Sequence, residues 1–286
     1  MTVGPITAPI IPNVEECWAE VAGHRMRYLR AGSGPPILLI HGLMAYSFSW
    51  RFVFPALARI RTAFAPDLLG RGYSERPVGF DHGMTPTATY LWKFLDQVGV
   101  ENVDIVGSSH GGALAVRMAA EHPERVRKLV LAAPVNPWSR HGLWITRILA
   151  TQPAARFLLA VVPYLHASGN KFLARLFGDP AKIPPGTLEG YMAPLSQPNS
   201  WDYALSIMRD WRADLQQLAS DYAAINDMPA LLAWGDRDPA VHLYSAQEIM
   251  KRMPHAQLKI FPGVGHVPYE EAPEDFNRAV VDFLLS

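Results

Sequence analysis

The sequence predicts an α/β fold: a mostly parallel, doubly wound sheet with a helical insertion. Three observations predict it. Short apolar runs, at 37–40, 129–131 and 230–234, suit strands buried on both faces of a parallel sheet. Helical stretches alternate with these runs, the pattern of strand–helix–strand units. The rhythm then breaks over 134–228, where clear strand runs vanish and apolar helical stretches are cut by prolines at 153, 163, 180, 184, 185, 194 and 198.

Taken in order, residues 1–14 hold three prolines and little periodicity and read as a loose arm. Runs at 17–21 and 26–29, joined through Gly23, read as a hairpin. The strand at 37–40 ends in His41-Gly42-Leu43-Met44. A helix is expected over 49–60, a strand over 61–65, and an amphipathic helix over 87–98 closed by Gly99. Val103, Ile105 and Val106 lead into Gly107-Ser108-Ser109-His110-Gly111, and a small-residue helix follows to Ala120. A strand is expected at 126–132. Within the break, helical stretches are expected at 143–149, 157–165 and 172–177, with Trp138, Trp144, Trp201 and Trp211 on the segment. Alternation resumes with a strand at 230–234, a helix at 245–251, a strand at 257–260 and a last helix at 273–284 with Pro273 in its first turn. The expected division is a core of 1–134 and 229–286 with 135–228 inserted into it.

Bulk properties narrow the class. The chain has 286 residues and no linker-like stretch, which suits one large domain with an insertion. Lys plus Arg and Asp plus Glu number 26 each, so no net charge argues for capture of nucleic acid or an anionic membrane. The one cysteine, Cys17, excludes an intramolecular disulfide and is expected to be a small buried side chain. No signal-peptide pattern and no run long enough for a membrane span is visible, so a cytoplasmic protein is expected. C-x-x-C and H-E-x-x-H spacings are absent, and neither metal nor cofactor is expected.

The chemistry centres on Ser109. Strand, sharp turn and helix around G-x-S-x-G are the context of a nucleophile elbow. Cβ atoms at 107 and 111 would crowd that turn. A serine hydroxyl needs a base to take its proton and a third group to orient the base. Two later strand ends offer them. One carries Gly235-Asp236-Arg237-Asp238-Pro239 and the other Gly263-Val264-Gly265-His266-Val267. Loops beyond the carboxyl ends of parallel strands converge on one crevice, so distant segments can meet there.

With these motifs in order, the chain resembles the α/β-hydrolase superfamily, in particular its cap-bearing serine hydrolases: esterases, cofactor-free haloperoxidases and carbon–carbon bond hydrolases. The similarity covers about 20–135 and 228–286. His41-Gly42 is similar to the family's HG motif, and 67–74 to its D-x-x-G-x-G-x-S loop. Residues 234–238 match W-G-x-x-D, and Gly265-His266 matches the G-H of the base. The resemblance implies Ser109 as nucleophile, His266 as general base and Asp238 as orienting acid, with Asp236 a competitor that otherwise caps the helix after it. It implies an oxyanion hole from the backbone N–H groups of Leu43 and His110, and a helical cap at 135–228. His41, Gly42, His110 and Val267 are candidate pocket residues, His41 being better explained as a structural hydrogen-bonding group.

The implied activity is cleavage of carboxylic esters of small to medium apolar substrates through an acyl-enzyme. Other readings stay open: a carbon–carbon bond hydrolase, a perhydrolase, or a ligand-binding receptor. Epoxide hydrolases and haloalkane dehalogenases use an Asp where this chain has Ser109. Carbon–carbon bond hydrolases resemble one another in a Trp after the catalytic His, where Val267 stands here, and in a cap arginine, for which Arg140, Arg147, Arg156 and Arg175 are available. A small apolar ester is the expected partner; monomer and homodimer are both compatible with the sequence.

Overall fold

Alternate residues of the central strands point to opposite faces of one sheet, and helices cover both. The computed structural model describes residues 8–139, 173–197, 199–200 and 202–286. Its strands are β1 (Glu15–Val21), β2 (His24–Ala31), β3 (Pro36–Ile40), β4 (Thr62–Pro66), β5 (Val103–Ser108), β6 (Val126–Ala132), β7 (Ala230–Gly235) and β8 (Gln257–Phe261). They form one sheet in the order β1-β2-β4-β3-β5-β6-β7-β8. β2 pairs antiparallel with β1 and β4, and every other pairing is parallel.

The helices are α1 (Phe54–Leu57), α2 (Met84–Gln97), α3 (His110–Glu121), α4 (Thr187–Met192), α5 (Asp202–Ala224), α6 (Tyr244–Met250), α7 (Pro268–Glu271) and α8 (Pro273–Leu285). Leu38, Ile40, Ile105, Leu129, Leu131 and Leu232 share one core with α2, α3, α5 and α6. Ile37, Leu39, Val106, Val130, Leu231 and Ala233 share the other with α1 and α8. That two-sided burial explains why the central strands lack polar alternation.

Local differences from the sequence expectation have physical causes. The helix expected over 49–60 is broken into a 3-10 turn (Ser47–Trp50) and the single turn of α1. Pro55 lacks an N–H and crowds the preceding turn, so a helix starts there rather than running through. Cys17 is half-buried, not buried, because β1 is the sheet's edge and alternates exposed residues with partly covered ones. Burial raises its thiol pKa, which keeps it a weak nucleophile. Between β6 and β7 the described elements are helical, with no strand among them. The stretches expected at 143–149 and 157–165, the first residue of the one at 172–177, and Trp144 and Trp201 lie outside the described residues. Among the described residues no helix is long and apolar enough to cross a membrane.

The strand order reverses at β3, whose neighbours are β4 on one side and β5 on the other. The loops that leave β3 and β5 therefore meet above the sheet, where such folds open a crevice. Their contact leaves no room for side chains. A Cβ on Gly111 would lie 2.2 Å from the Ile40 carbonyl oxygen, and one on Gly107 would lie 2.3 Å from that of Gly111. Gly111→Ala must push α3 away from β3. It is expected to lower stability by about 1–3 kcal/mol, read as a fall in the urea midpoint at unchanged slope.

Candidate active site

Ser109 joins β5 to α3 with φ 53° and ψ −116°, a left-handed conformation that a non-glycine residue adopts only when its surroundings impose it. Backbone bonds impose it here. The Ser109 N–H donates to the Ala132 carbonyl at 2.9 Å, and its own carbonyl accepts from Gly112, Ala113 and Val135. The turn lifts the side chain clear of the strand into a cavity of about 200 Å³ whose wall also holds His266.

Asp238 follows β7 and His266 follows β8. His266 Nδ1 donates to Asp238 Oδ2 at 2.7 Å, with both side chains almost wholly buried. The other carboxylate oxygen accepts from the N–H groups of Ala240 (2.7 Å) and Val241 (2.9 Å). Those bonds aim the second oxygen at the imidazole. With the proton on Nδ1, the Nε2 lone pair is left free on a residue that lines the cavity.

The two loops touch directly. A Cβ on Gly235 would lie 2.1 Å from the Gly265 carbonyl oxygen, and Arg237 N–H donates to Val264 O at 2.9 Å. Asp236 is exposed and accepts from the Gly263 N–H at 2.7 Å. It braces the neighbouring turn rather than capping the helix after it, because the turn after β8 lies closer than α6. The geometry thus separates the two carboxylates: Asp238 meets the imidazole and Asp236 does not.

The loop after β3 runs against the elbow; a Cβ on Gly42 would sit 3.4 Å from Ser109 Cβ. Leu43 follows Gly42 on the cavity wall. The His110 N–H opens α3 and so has no intrahelical acceptor. Both N–H groups are thus carried beside Ser109. The loop is fixed from behind. His41 is fully buried; Nδ1 donates to the Gly42 carbonyl at 2.8 Å, and Nε2 accepts the Leu68 N–H at 3.1 Å. Asp67 accepts from the N–H groups of Ser47 and Tyr73, each at 2.9 Å, and from Arg27 at 3.1 Å.

His110 behaves otherwise. It is fully buried, among the described residues neither ring nitrogen has a hydrogen-bond partner, and its ring stacks on Trp211 with centroids 6.3 Å apart. Gly42 and Val267 line the cavity with Ser109, and His41 and His110 are fully buried.

Several wall residues carry no sequence signal. Leu173, Leu176 and Phe177 make the wall apolar, and α4 closes one end. Arg51 reaches Glu270 at 2.7 Å and Thr187 at 2.8 Å, while the Tyr191 hydroxyl bonds Glu270. Glu271 accepts from the N–H groups of Gly178 (2.8 Å), Asp179 (2.9 Å) and Gly265 (2.7 Å), and the His266 N–H donates to Leu176 O at 2.6 Å. The base loop and the 176–179 segment are one hydrogen-bonded unit. Glu270 and Glu271 read in the sequence as ordinary acidic residues of a helix start; only their burial betrays them. Of the arginines considered for the inserted segment, Arg175 is exposed, and Arg140, Arg147 and Arg156 lie outside the described residues.

Comparison with known proteins identifies the fold. A family model described as alpha/beta hydrolase fold matches residues 35–273. A 2-hydroxymuconate semialdehyde hydrolase from a Pseudomonas species is 33% identical over 274 residues, covering 92% of this chain and 91% of that protein. Haloalkane dehalogenase 2 of Mycobacterium tuberculosis is 30% identical over 294 residues, covering 96% of each. The crystal structure of an alpha/beta hydrolase fold protein from Burkholderia ambifaria superposes with a TM-score of 0.82 at 26% identity, covering 96% of this chain and 99% of that one.

Three buried histidines give the site a pH signature. Burial lowers the pKa of His41 and His82 to about 4 and of His110 to about 3, the last helped by its two histidine neighbours. The unfolded chain would protonate them near pH ~6.5. It therefore binds more protons than the folded chain between that pH and about 4, and stability falls as pH drops through the window. A urea midpoint that declines there, and declines less steeply in His110→Leu, is the expected result.

Proposed function

The chain belongs to the alpha/beta hydrolase family, and from that premise we propose that it is a serine hydrolase of carboxylic esters with small to medium apolar groups. One observation carries the reading. Ser109, on its strained turn, shares a cavity with His266, whose far nitrogen is held by the buried Asp238.

In the proposed reaction His266 Nε2 takes the Ser109 proton as Oγ attacks the ester carbonyl. Asp238 keeps the imidazole in the useful tautomer and stabilises it once charged. Charge on the tetrahedral oxygen meets the N–H groups of Leu43 and His110. His266 returns the proton to the departing alcohol, and water then cleaves the acyl-enzyme by the same steps. The cavity's leucines and Phe177 support an apolar substrate, since removing such surface from water favours binding. We take the inserted segment as a cap: its residues Leu173, Leu176, Phe177, Thr187 and Tyr191 lie over Ser109.

A second reading, hydrolysis of a carbon–carbon bond, is favoured by the identity to the Pseudomonas semialdehyde hydrolase. Against it stand Val267 after the base and the outward-facing Arg175. Dehalogenation is disfavoured by a serine at the nucleophile position.

The purified protein is expected to hydrolyse 4-nitrophenyl butyrate, with Ser109→Ala reducing turnover to background and a fluorophosphonate label mapping to Ser109 by mass spectrometry. Retained turnover in that variant would remove Ser109 from the reaction; no turnover by the native protein across acyl lengths would favour the carbon–carbon or receptor reading. Asp238→Asn is expected to lower kcat by about 10³–10⁴, whereas Asp236→Asn should cost less than about ten-fold, since it alters only a turn bond. The reverse order would make Asp236 the acid.

A further inference from the structure

Ser108 and Tyr269 both line the cavity that holds Ser109 and His266. Ser108 ends β5, one residue before the proposed nucleophile. Tyr269 lies on α7, three residues beyond His266. Both are almost wholly buried, and their hydroxyl oxygens are 3.1 Å apart. Two hydroxyls bring two hydrogens, and the bond between them uses one. Among the described residues neither oxygen has another partner. Whichever of the two donates, one hydroxyl hydrogen is left without an acceptor, an unfavourable state for a buried group until an acceptor arrives.

The surroundings keep that donor in place. The Tyr269 ring packs on Trp50, with centroids 4.8 Å apart, and on Phe276 at 5.9 Å. Burial pushes the phenol pKa up, so it stays a protonated donor. The polar groups at the far end of this wall are tied to one another: Glu270 accepts from Arg51 and Tyr191, and Thr187 Oγ1 accepts from Arg51. The remaining wall is largely apolar, with Leu43, Leu173, Leu176, Phe177 and Val267. An unspent donor in such a cavity selects the one ligand atom that can meet it. Ser108 and Ser109 line the same cavity, so a substrate held at Ser109 shares that space with the Ser108 hydroxyl.

We propose that Ser108 and Tyr269 form a donor subsite that receives an acceptor oxygen carried close to the scissile carbonyl, so that oxygenated esters, with an ether or keto oxygen near that carbonyl, are preferred over plain alkyl esters. This rests on the ester-hydrolase reading above and names its substrate class. The pair acts by binding; it takes no proton from the substrate.

The test uses two isosteric pairs in which an oxygen replaces a methylene. On the acyl side they are 4-nitrophenyl methoxyacetate and butyrate; on the alcohol side, 2-methoxyethyl and butyl butyrate. The readout is the ratio of kcat/KM for oxygenated over hydrocarbon ester, in native protein, Ser108→Ala, Tyr269→Phe and the double variant. Within each protein the ratio cancels the active fraction, and comparing ratios between variants and native protein cancels the esters' intrinsic reactivity. On at least one side it is expected to fall about three- to ten-fold in each single variant. The double variant should fall no further, because the two hydroxyls act as one unit. Ratios unchanged on both sides would overturn the subsite while leaving the hydrolase reading intact. So would an equal slowing of all four esters, which would mark the pair as holding the attacking water or as packing alone. Turnover of none of the four by native protein would overturn the hydrolase reading, and the subsite with it.

Discussion

The close approach of backbone at the crossing of β3, β5 and α3 is the constraint on which the site depends. Glycines at 107 and 111 let three segments touch where any side chain would collide. That contact forces Ser109 into a left-handed turn, and the turn lifts its hydroxyl off the sheet. The same contact sets the first residue of α3 at the elbow, so its free N–H points to the space above Ser109. One steric fact therefore positions both the serine and half of the proposed oxyanion hole.

The loops that complete the site are held by buried carboxylates rather than by apolar packing. Asp67 gathers N–H groups from two segments behind the loop after β3. Asp238 gathers two from its own loop with one oxygen and holds His266 with the other. Glu271 gathers three and joins the base loop to the segment over the cavity. The reason is common to all three. Irregular loops leave backbone donors without helix or sheet partners, and a buried anion that accepts several of them satisfies both sides at once.

This frame explains the contrast between two neighbouring histidines. His266 lies where one nitrogen meets a carboxylate and the ring lines the cavity, the arrangement that the proposed base needs. His110 is stacked on Trp211 with no partner at either nitrogen among the described residues, and burial keeps it neutral far below the usual histidine range. Chain position, one residue after Ser109, suggests a pocket side chain, and in the fold this ring stacks on Trp211 of α5.

The sequence by itself determined the class of fold, the elbow and the order of its partners, because these follow from local rules. Apolar runs specify buried strands, glycines mark a crossing that tolerates no Cβ, and strand ends mark loops that converge. It also singled out Ser109, His266 and Asp238 as the residues to look for. Only the tertiary structure decided between Asp238 and Asp236 as neighbour of His266, since two carboxylates two residues apart differ only in where the loop points them. It alone revealed Glu271, Tyr191 and the Ser108–Tyr269 pair, whose partners lie far along the chain. It also broke the expected helix at Pro55. Local patterns encode which segments form; long-range contacts, with no period or spacing to announce them, decide which side chains meet.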